Sequence, residues 1–293
     1  MGAERNSRPD RGQPAWCRIG RALVFAALAG GVSTPLAAFG SVDPASLRQA
    51  FARQVDRRLE PPPEEAQRYG GLALEALRQA GTGAGQSQYV VLVDRSASVQ
   101  AIFIYWMPAG ASPVLIGASA VSTGRPGGFD YFETPLGVFE HSVANPDFRA
   151  EGSRNAFGIR GYGDKGMRVF DLGWQQAQRL WGRGGTSTMR LQMHATDPDR
   201  LEKRLGSVQS KGCIRIPASL NRFLDRFGVL DADYLEASAE GAVPWVLPPD
   251  QKPVEGAGRY LIVIDSGRSE RPAWSPRPGP KAASPKARPA PPA

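Results

Sequence analysis

The segments Met189-Arg190-Leu191-Gln192-Met193-His194 and Ser210-Lys211-Gly212-Cys213-Ile214-Arg215-Ile216 decide how this chain is read. Side chains alternate across an extended strand, so Leu191 and Met193 enter a core while Arg190, Gln192 and His194 share the opposite face. By the same rule Ile214 and Ile216 go inward, leaving Cys213 and Arg215 together on the polar side. Asp197-Pro198 reads as a helix cap with its first turn, and Gly206 as its stop. So short an excursion lets the two strands return beside each other. One of only two cysteines and one of only two histidines in 293 residues are thereby expected on one face of a β unit.

Working outward, the chain is β-rich. Tyr89–Asp94 and Val99–Met107 are strand-like runs, with Arg95-Ser96-Ala97-Ser98 as a hairpin connection. Pro113–Val121, Gly137–Val143, Met167–Leu172, Val243–Leu247 and Arg259–Asp265 are further strands by composition. Helical periodicity appears at 44–59, where Leu47, Phe51, Val55 and Leu59 recur every fourth residue. It returns around Tyr69, Leu72, Ala73, Ala76 and Leu77, with Gly81 as the stop, and at Pro217–Phe227, closed by Gly228. The pair of helices before residue 81 reads as a packing element or spacer, and Gly81–Gln88 as a flexible connector.

The net charge of +8 is carried by the ends. Residues 1–40 hold five arginines against two acids, and residues 266–293 hold six cations against Glu270 alone, so the body between them is neutral. Basicity so placed does not point to a nucleic-acid-binding fold. Arg18 and Arg21 precede the apolar run Ala22–Val32, with Pro35, Ala37, Ala38 and Gly40 behind it, which describes an export signal cleaved before Ser41. An uncleaved anchor is the alternative, since Ala22–Gly40 nearly reaches bilayer length. Beyond Ser266 proline, lysine, arginine, alanine and serine dominate, and a disordered tail is expected. The expected domains are 1–40 signal, 41–83 helical segment, 84–266 catalytic body and 267–293 tail. Export leaves the mature chain one cysteine, Cys213, in an oxidising compartment and without a disulfide partner.

A thiol and an imidazole within hydrogen-bond reach make an activated nucleophile, with a neighbouring His⁺ lowering the thiol pKa. Lys211 adds positive charge, Gly212 lets backbone approach a carbonyl, loop N–H groups offer an oxyanion hole, and Arg215 suits a carboxylate. His194, fifteen intervening residues, then S-K-G-C-I-R resembles the signature of the L,D-transpeptidase catalytic domain, the YkuD-like family. Ser122-Thr123-Gly124-Arg125-Pro126-Gly127 with Thr134-Pro135-Leu136-Gly137 is similar to that family's "TG…TPxG" segment. The resemblance covers about Tyr89 to Asp265. It implies a β-sandwich-like catalytic fold with short helices, Cys213 as acyl-accepting nucleophile and His194 as general base. Ser210, Lys211, Gly212 and Arg215 fall on supporting positions. It also implies an exported, periplasmic or envelope enzyme that needs no cofactor or metal and acts on peptidoglycan stem peptides. A thioester would form with release of a terminal D-alanine, then pass to an amine in a 3→3 cross-link or protein anchoring. Ala195 stands where the family often has glycine, and Lys211 where a second histidine is common.

Two rival readings share these residues: a hydrolase of the L,D-carboxypeptidase or amidase type, and a non-catalytic wall-binding module. Gly161, Gly163 and Gly166 satisfy G-x-G-x-x-G, but no helix follows them, which argues against a dinucleotide site. No G-x-S-x-G elbow occurs. His141 is read as a surface residue, Trp174 and Trp181 as the core face of one helix, and Gly182, Gly184 and Gly185 as a turn.

Overall fold

In the computed structural model, residues 42–242 and 244–279 are described, so the expected signal segment lies outside them. The chain is mainly β, in two sheets with short helices. α1 (Pro44–Gln54) starts at Asp43, whose carboxylate accepts the N–H groups of Ala45 and Ser46, as an N-cap should. It ends at Val55, where the backbone becomes extended, and β1 (Arg58–Leu59) follows. The helix expected over 44–59 is therefore shorter: Leu47 and Phe51 lie on it, whereas Leu59 pairs as a strand with Ala118. α2 (Pro63–Gln79) has the expected face, with Tyr69, Ala73 and Leu77 buried, and ends before Gly81 in the left-handed region.

β2 (Gln88–Asp94), β3 (Ala101–Met107), β4 (Val114–Ala120), β5 (Gly137–Glu140) and, near the C-terminus, β10 (Tyr260–Ile264) join β1 in a six-stranded sheet. Its order is β1-β4-β3-β2-β10-β5, with β10 parallel to β2. β3 begins later than the apolar run does because Gln100 takes a positive φ of 49°. Every residue of β2 is buried, since both faces of the sheet are covered. Tyr69, Ala73 and Leu77 of α2 cluster with Val90, Leu92, Phe103 and Tyr105 on one face. Val91, Val93, Ile102 and Ile104 belong to the larger core on the other.

That larger core is shared with a four-stranded sheet of order β6-β7-β8-β9. Its strands are β6 (Phe148–Arg149), β7 (Arg168–Gln178), β8 (Thr186–Ala195) and β9 (Ile214–Ile216). Leu191, Met193, Ile214 and Ile216 enter the core as alternation required. α3 (Ala218–Phe227) covers them with Leu220, Phe223 and Leu224, and Gly228 stops it at φ 55°. α4 (Ala232–Ala239) follows.

Three sequence expectations are corrected here. Trp174 is on β7, not on a helix, and 64% exposed; Trp181 lies beyond the strand end, edge-on to Phe132. Residues 244–247 form a turn instead of a strand, and Val243 lies outside the described residues. Of the expected tail, residues 280–293 lie outside the described residues, whereas residues 267–279 pack against the body. Trp274 packs against Tyr69 and Phe103, Arg268 pairs with Glu65 at 2.5 Å, and Ser275 Oγ donates to the Ser98 carbonyl at 3.0 Å. The composition suggested disorder because one tryptophan among prolines carries most of the packing.

His141 is likewise not a surface residue. It is fully buried, with Nδ1 2.8 Å from the Leu230 carbonyl and Nε2 2.9 Å from Asp147. Two acceptors on one ring require both nitrogens to carry protons, and Asp147 holds the pKa of His141 up despite its burial. Arg168, also fully buried, bridges Asp147 at 2.6 Å and Asp231 at 2.8 Å, so the interior charges are paired.

Candidate active site

The two deciding segments do return side by side. Asp197 caps the excursion by accepting the N–H groups of Asp199 and Arg200, and Gly206 reverses the chain at φ 101°. β9 then pairs in parallel with β8, placing His194 opposite Arg215 and Met193 opposite Ile214. Cys213, one residue before β9, shares the outward side with Arg215. His194 lies in the middle of the sheet, paired with Val169 on its other flank.

The loop that delivers Cys213 is clamped from several directions. Ser210 Oγ accepts the Gly212 N–H at 3.0 Å and donates to the Cys213 carbonyl at 2.6 Å. Thr134 Oγ1 donates to the Gly212 carbonyl at 2.7 Å and accepts the Gly124 N–H at 2.9 Å. Gly212 adopts φ 129°, and a Cβ there would meet Met189 Sδ at 2.7 Å, so glycine is required. At Gly124 a Cβ would come within 2.1 Å of the Phe132 carbonyl oxygen. The Thr123-Gly124 and Thr134 segments are therefore the frame of the Cys213 loop. Because Ser210 occupies the Gly212 N–H, that group is not a free oxyanion donor.

The cleft over this loop is about 570 Å³ and is lined by Cys213, His194, Arg215, Gln192, Tyr162 and Trp174, with Ser210 and Lys211 also on its wall. His194 is 4% exposed and its Nδ1 is 2.7 Å from the Ala195 carbonyl, an acceptor only. That fixes the proton on Nδ1 and leaves Nε2 as the base. Burial, then the Arg215 charge, push the imidazole pKa down to about 3. Burial likewise pushes the Cys213 thiol up, with a Gln192 backbone hydrogen bond and Arg215 pulling the other way.

The expectation of an imidazolium beside a thiolate is thus corrected: burial disfavours both charged forms, Arg215 disfavours the imidazolium further, and for the thiol burial outweighs the pull of the same cation. The thiol reaches toward the Arg190 carbonyl at 3.8 Å. Lys211 is exposed and paired with Asp130 at 3.3 Å, so Arg215 is the cation that acts on the site.

Arg215 has no carboxylate partner among the described residues. Its Nη1 reaches the Gln209 carbonyl at 3.5 Å, and its buried Nε has no acceptor. The acids that would have made it structural are engaged elsewhere, Asp225 with Arg149 and Asp231 with Arg168. Arg215 is therefore a forked donor left open beside the thiol.

Sequence reasoning missed the second rank of this site. Asp171 on β7 accepts from Arg190 Nε at 2.7 Å and Gln192 Nε2 at 2.9 Å. Tyr162 donates to Gln192 Oε1 at 3.2 Å and sets its ring edge-on to His194, with centroids 4.7 Å apart. Gly161 belongs to the cleft wall, as part of the turn that presents Tyr162 and not of a dinucleotide loop. The β7–β8 register, Asp171 opposite Gln192, is the signal that would have found this network, and it needs the pairing to be known first.

No protein family and no curated protein matches the chain. Among solved structures it is similar to a fused Zn-dependent amidase/peptidase/peptidoglycan-binding domain-containing protein from Clostridium acetobutylicum, at 11% identity and a TM-score of 0.29. The alignment covers 72% of this chain and 66% of that one, just under two thirds. A likeness of that size carries no functional weight.

Proposed function

We propose that this chain is an exported cysteine acyltransferase of the L,D-transpeptidase type, acting on peptidoglycan stem peptides. One observation carries the reading. Cys213, His194 with its Nδ1 held by the Ala195 carbonyl, and the buried Arg215 guanidinium, without a carboxylate partner among the described residues, line one cleft.

In this reading the thiol of Cys213 attacks the carbonyl of the third residue of a tetrapeptide stem while His194 Nε2 takes its proton. With the thiol pKa high and the imidazole pKa low, proton removal and attack are coupled, and no free thiolate accumulates. The S–C bond forms and the C–N bond to the terminal D-alanine breaks, with His194 returning the proton to the leaving amine. An amine of a second stem then attacks the thioester, gives its proton through His194, and restores the thiol. Arg215 holds a donor carboxylate through its fork. Tyr162, Gln192 and Asp171 fix the strand face on which His194 works. The Arg-rich start and the apolar run Ala22–Val32 support export.

Intact-mass analysis after incubation with a carbapenem tests the covalent step. A single adduct on the wild-type chain and none on Cys213→Ser is expected. An unmodified wild-type chain would reduce the site to a binding module.

A further inference from the structure

A second concave site lies behind the Cys213 loop. It is about 310 Å³ and is lined by Arg125, Arg204, Ser207 and Gln209, with Pro278 and Gly279 of the C-terminal segment closing one side. Arg125 lies over the Tyr131 ring, 4.9 Å from its centroid, and donates to Tyr131 Oη at 3.2 Å and the Pro126 carbonyl at 3.4 Å. Arg204 donates to Gln209 Oε1. All of these acceptors are neutral.

Neither arginine is ion-paired among the described residues, whereas Arg149, Arg160, Arg168 and Arg268 all hold carboxylates. Burial holds the Arg215 pKa down, and the charges of Arg204 and Arg125 add to it, so both lie within electrostatic reach of Arg215. Residues 280–293, which follow Gly279 in the sequence, contain Lys281, Lys286 and Arg288 and no acidic side chain. Like charges gathered without a counterion are destabilising, and the free energy is recovered when an anion enters.

We propose that Arg125 and Arg204 form a binding site for an oxyanion group, phosphate or carboxylate, borne by a ligand larger than the anion itself. Planar guanidinium forks recognise both groups through paired N–H donors. The volume is roughly ten times the ~30 Å³ share of one water, which leaves room for the carrier. The site is contiguous with the nucleophile's frame. Gln209 offers its side chain to Arg204 and its carbonyl to Arg215, and the Arg125 N–H donates to the Ser210 carbonyl at 3.1 Å. The inference does not depend on the role of Cys213.

The test is the thermal midpoint of the full chain in sodium phosphate, sodium succinate and sodium chloride at equal ionic strength. Bound at about ten times its Kd, an anion should raise Tm by roughly 3 °C over chloride. The rise should vanish in Arg125→Gln/Arg204→Gln and shrink in Arg204→Gln, the milder variant should the double one unfold. A larger rise with phosphate assigns a phosphoryl group, and a larger rise with succinate a carboxylate. Equal midpoints in all three salts, or a rise retained in the variants, would overturn the site.

Discussion

His194 and Arg215 stand opposite each other on neighbouring parallel strands, and the guanidinium adds to burial in driving the imidazole pKa to about 3. The same guanidinium partly offsets the burial that raises the Cys213 thiol. One cation therefore keeps the base neutral and eases the nucleophile's ionisation.

The pH dependence of Cys213 reactivity follows from these directions. The thiol is raised, so alkylation by iodoacetamide should keep rising with pH above neutrality. The imidazole titrates far below neutrality, so no plateau of an ion-paired thiolate should appear in the weakly acidic range. Arg215→Gln should slow alkylation further at any given pH, because the thiol loses its favourable charge. A flat, fast rate extending into acid would contradict the neutral pair.

Arg215→Lys keeps the charge and removes the fork. With no acid bound to Arg215 among the described residues, Tm should be unchanged while kcat/KM falls by about 1–3 kcal/mol of transition-state binding. A parallel fall in Tm and activity would return Arg215 to the scaffold.

Cys213→Ser and His194→Gln should each abolish turnover, with the double variant no slower than either single one. Because His194 is buried, glutamine is the better probe than alanine, which would leave a cavity. Effects that multiplied in the double variant would show that the two residues do not act together.

His141 is expected to carry stability, not chemistry. Its replacement by leucine breaks a fully buried ionic network and should cost about 3–5 kcal/mol. Its pKa is raised in the fold, so the wild-type advantage is complete below the unfolded value near 6.5 and is lost as pH rises through the folded one. The gap in unfolding free energy between wild type and variant should narrow in alkali. A gap constant with pH would mean that the charge is irrelevant.

Trp274→Ala should destabilise the chain by about 2 kcal/mol, since its ring meets Tyr69 and Phe103 on the covered face of the six-stranded sheet. Chemical denaturation measures this directly, and no change would restore the view of residues 267–279 as a tail.

The strand pairing at the site was legible because alternation alone orients Leu191, Met193, Ile214 and Ile216, and because Asp197 and Gly206 punctuate the return. The burial of His141 was not legible. Its partners Asp147 and Leu230 come from distant segments, and local sequence gives a lone histidine no sign of them. Trp174 and Trp181 fit a helical spacing by accident, while the bulge between Asp171 and Trp174, with Gly173 at φ 75°, belongs to a strand pair. The electrostatic state of Cys213 was misread for a related reason. Sequence shows which charges are near in the chain, Lys211 among them, but not how deeply the site is buried.

The most direct measurement is the muropeptide profile of isolated sacculi incubated with the wild-type chain and with Cys213→Ser. The wild-type chain should convert tetrapeptide stems to 3→3 cross-linked dimers with release of D-alanine, and the serine variant should leave the profile untouched. A wild-type digest indistinguishable from the untreated sacculi would contradict Cys213 as an acyl-accepting nucleophile for stem peptides.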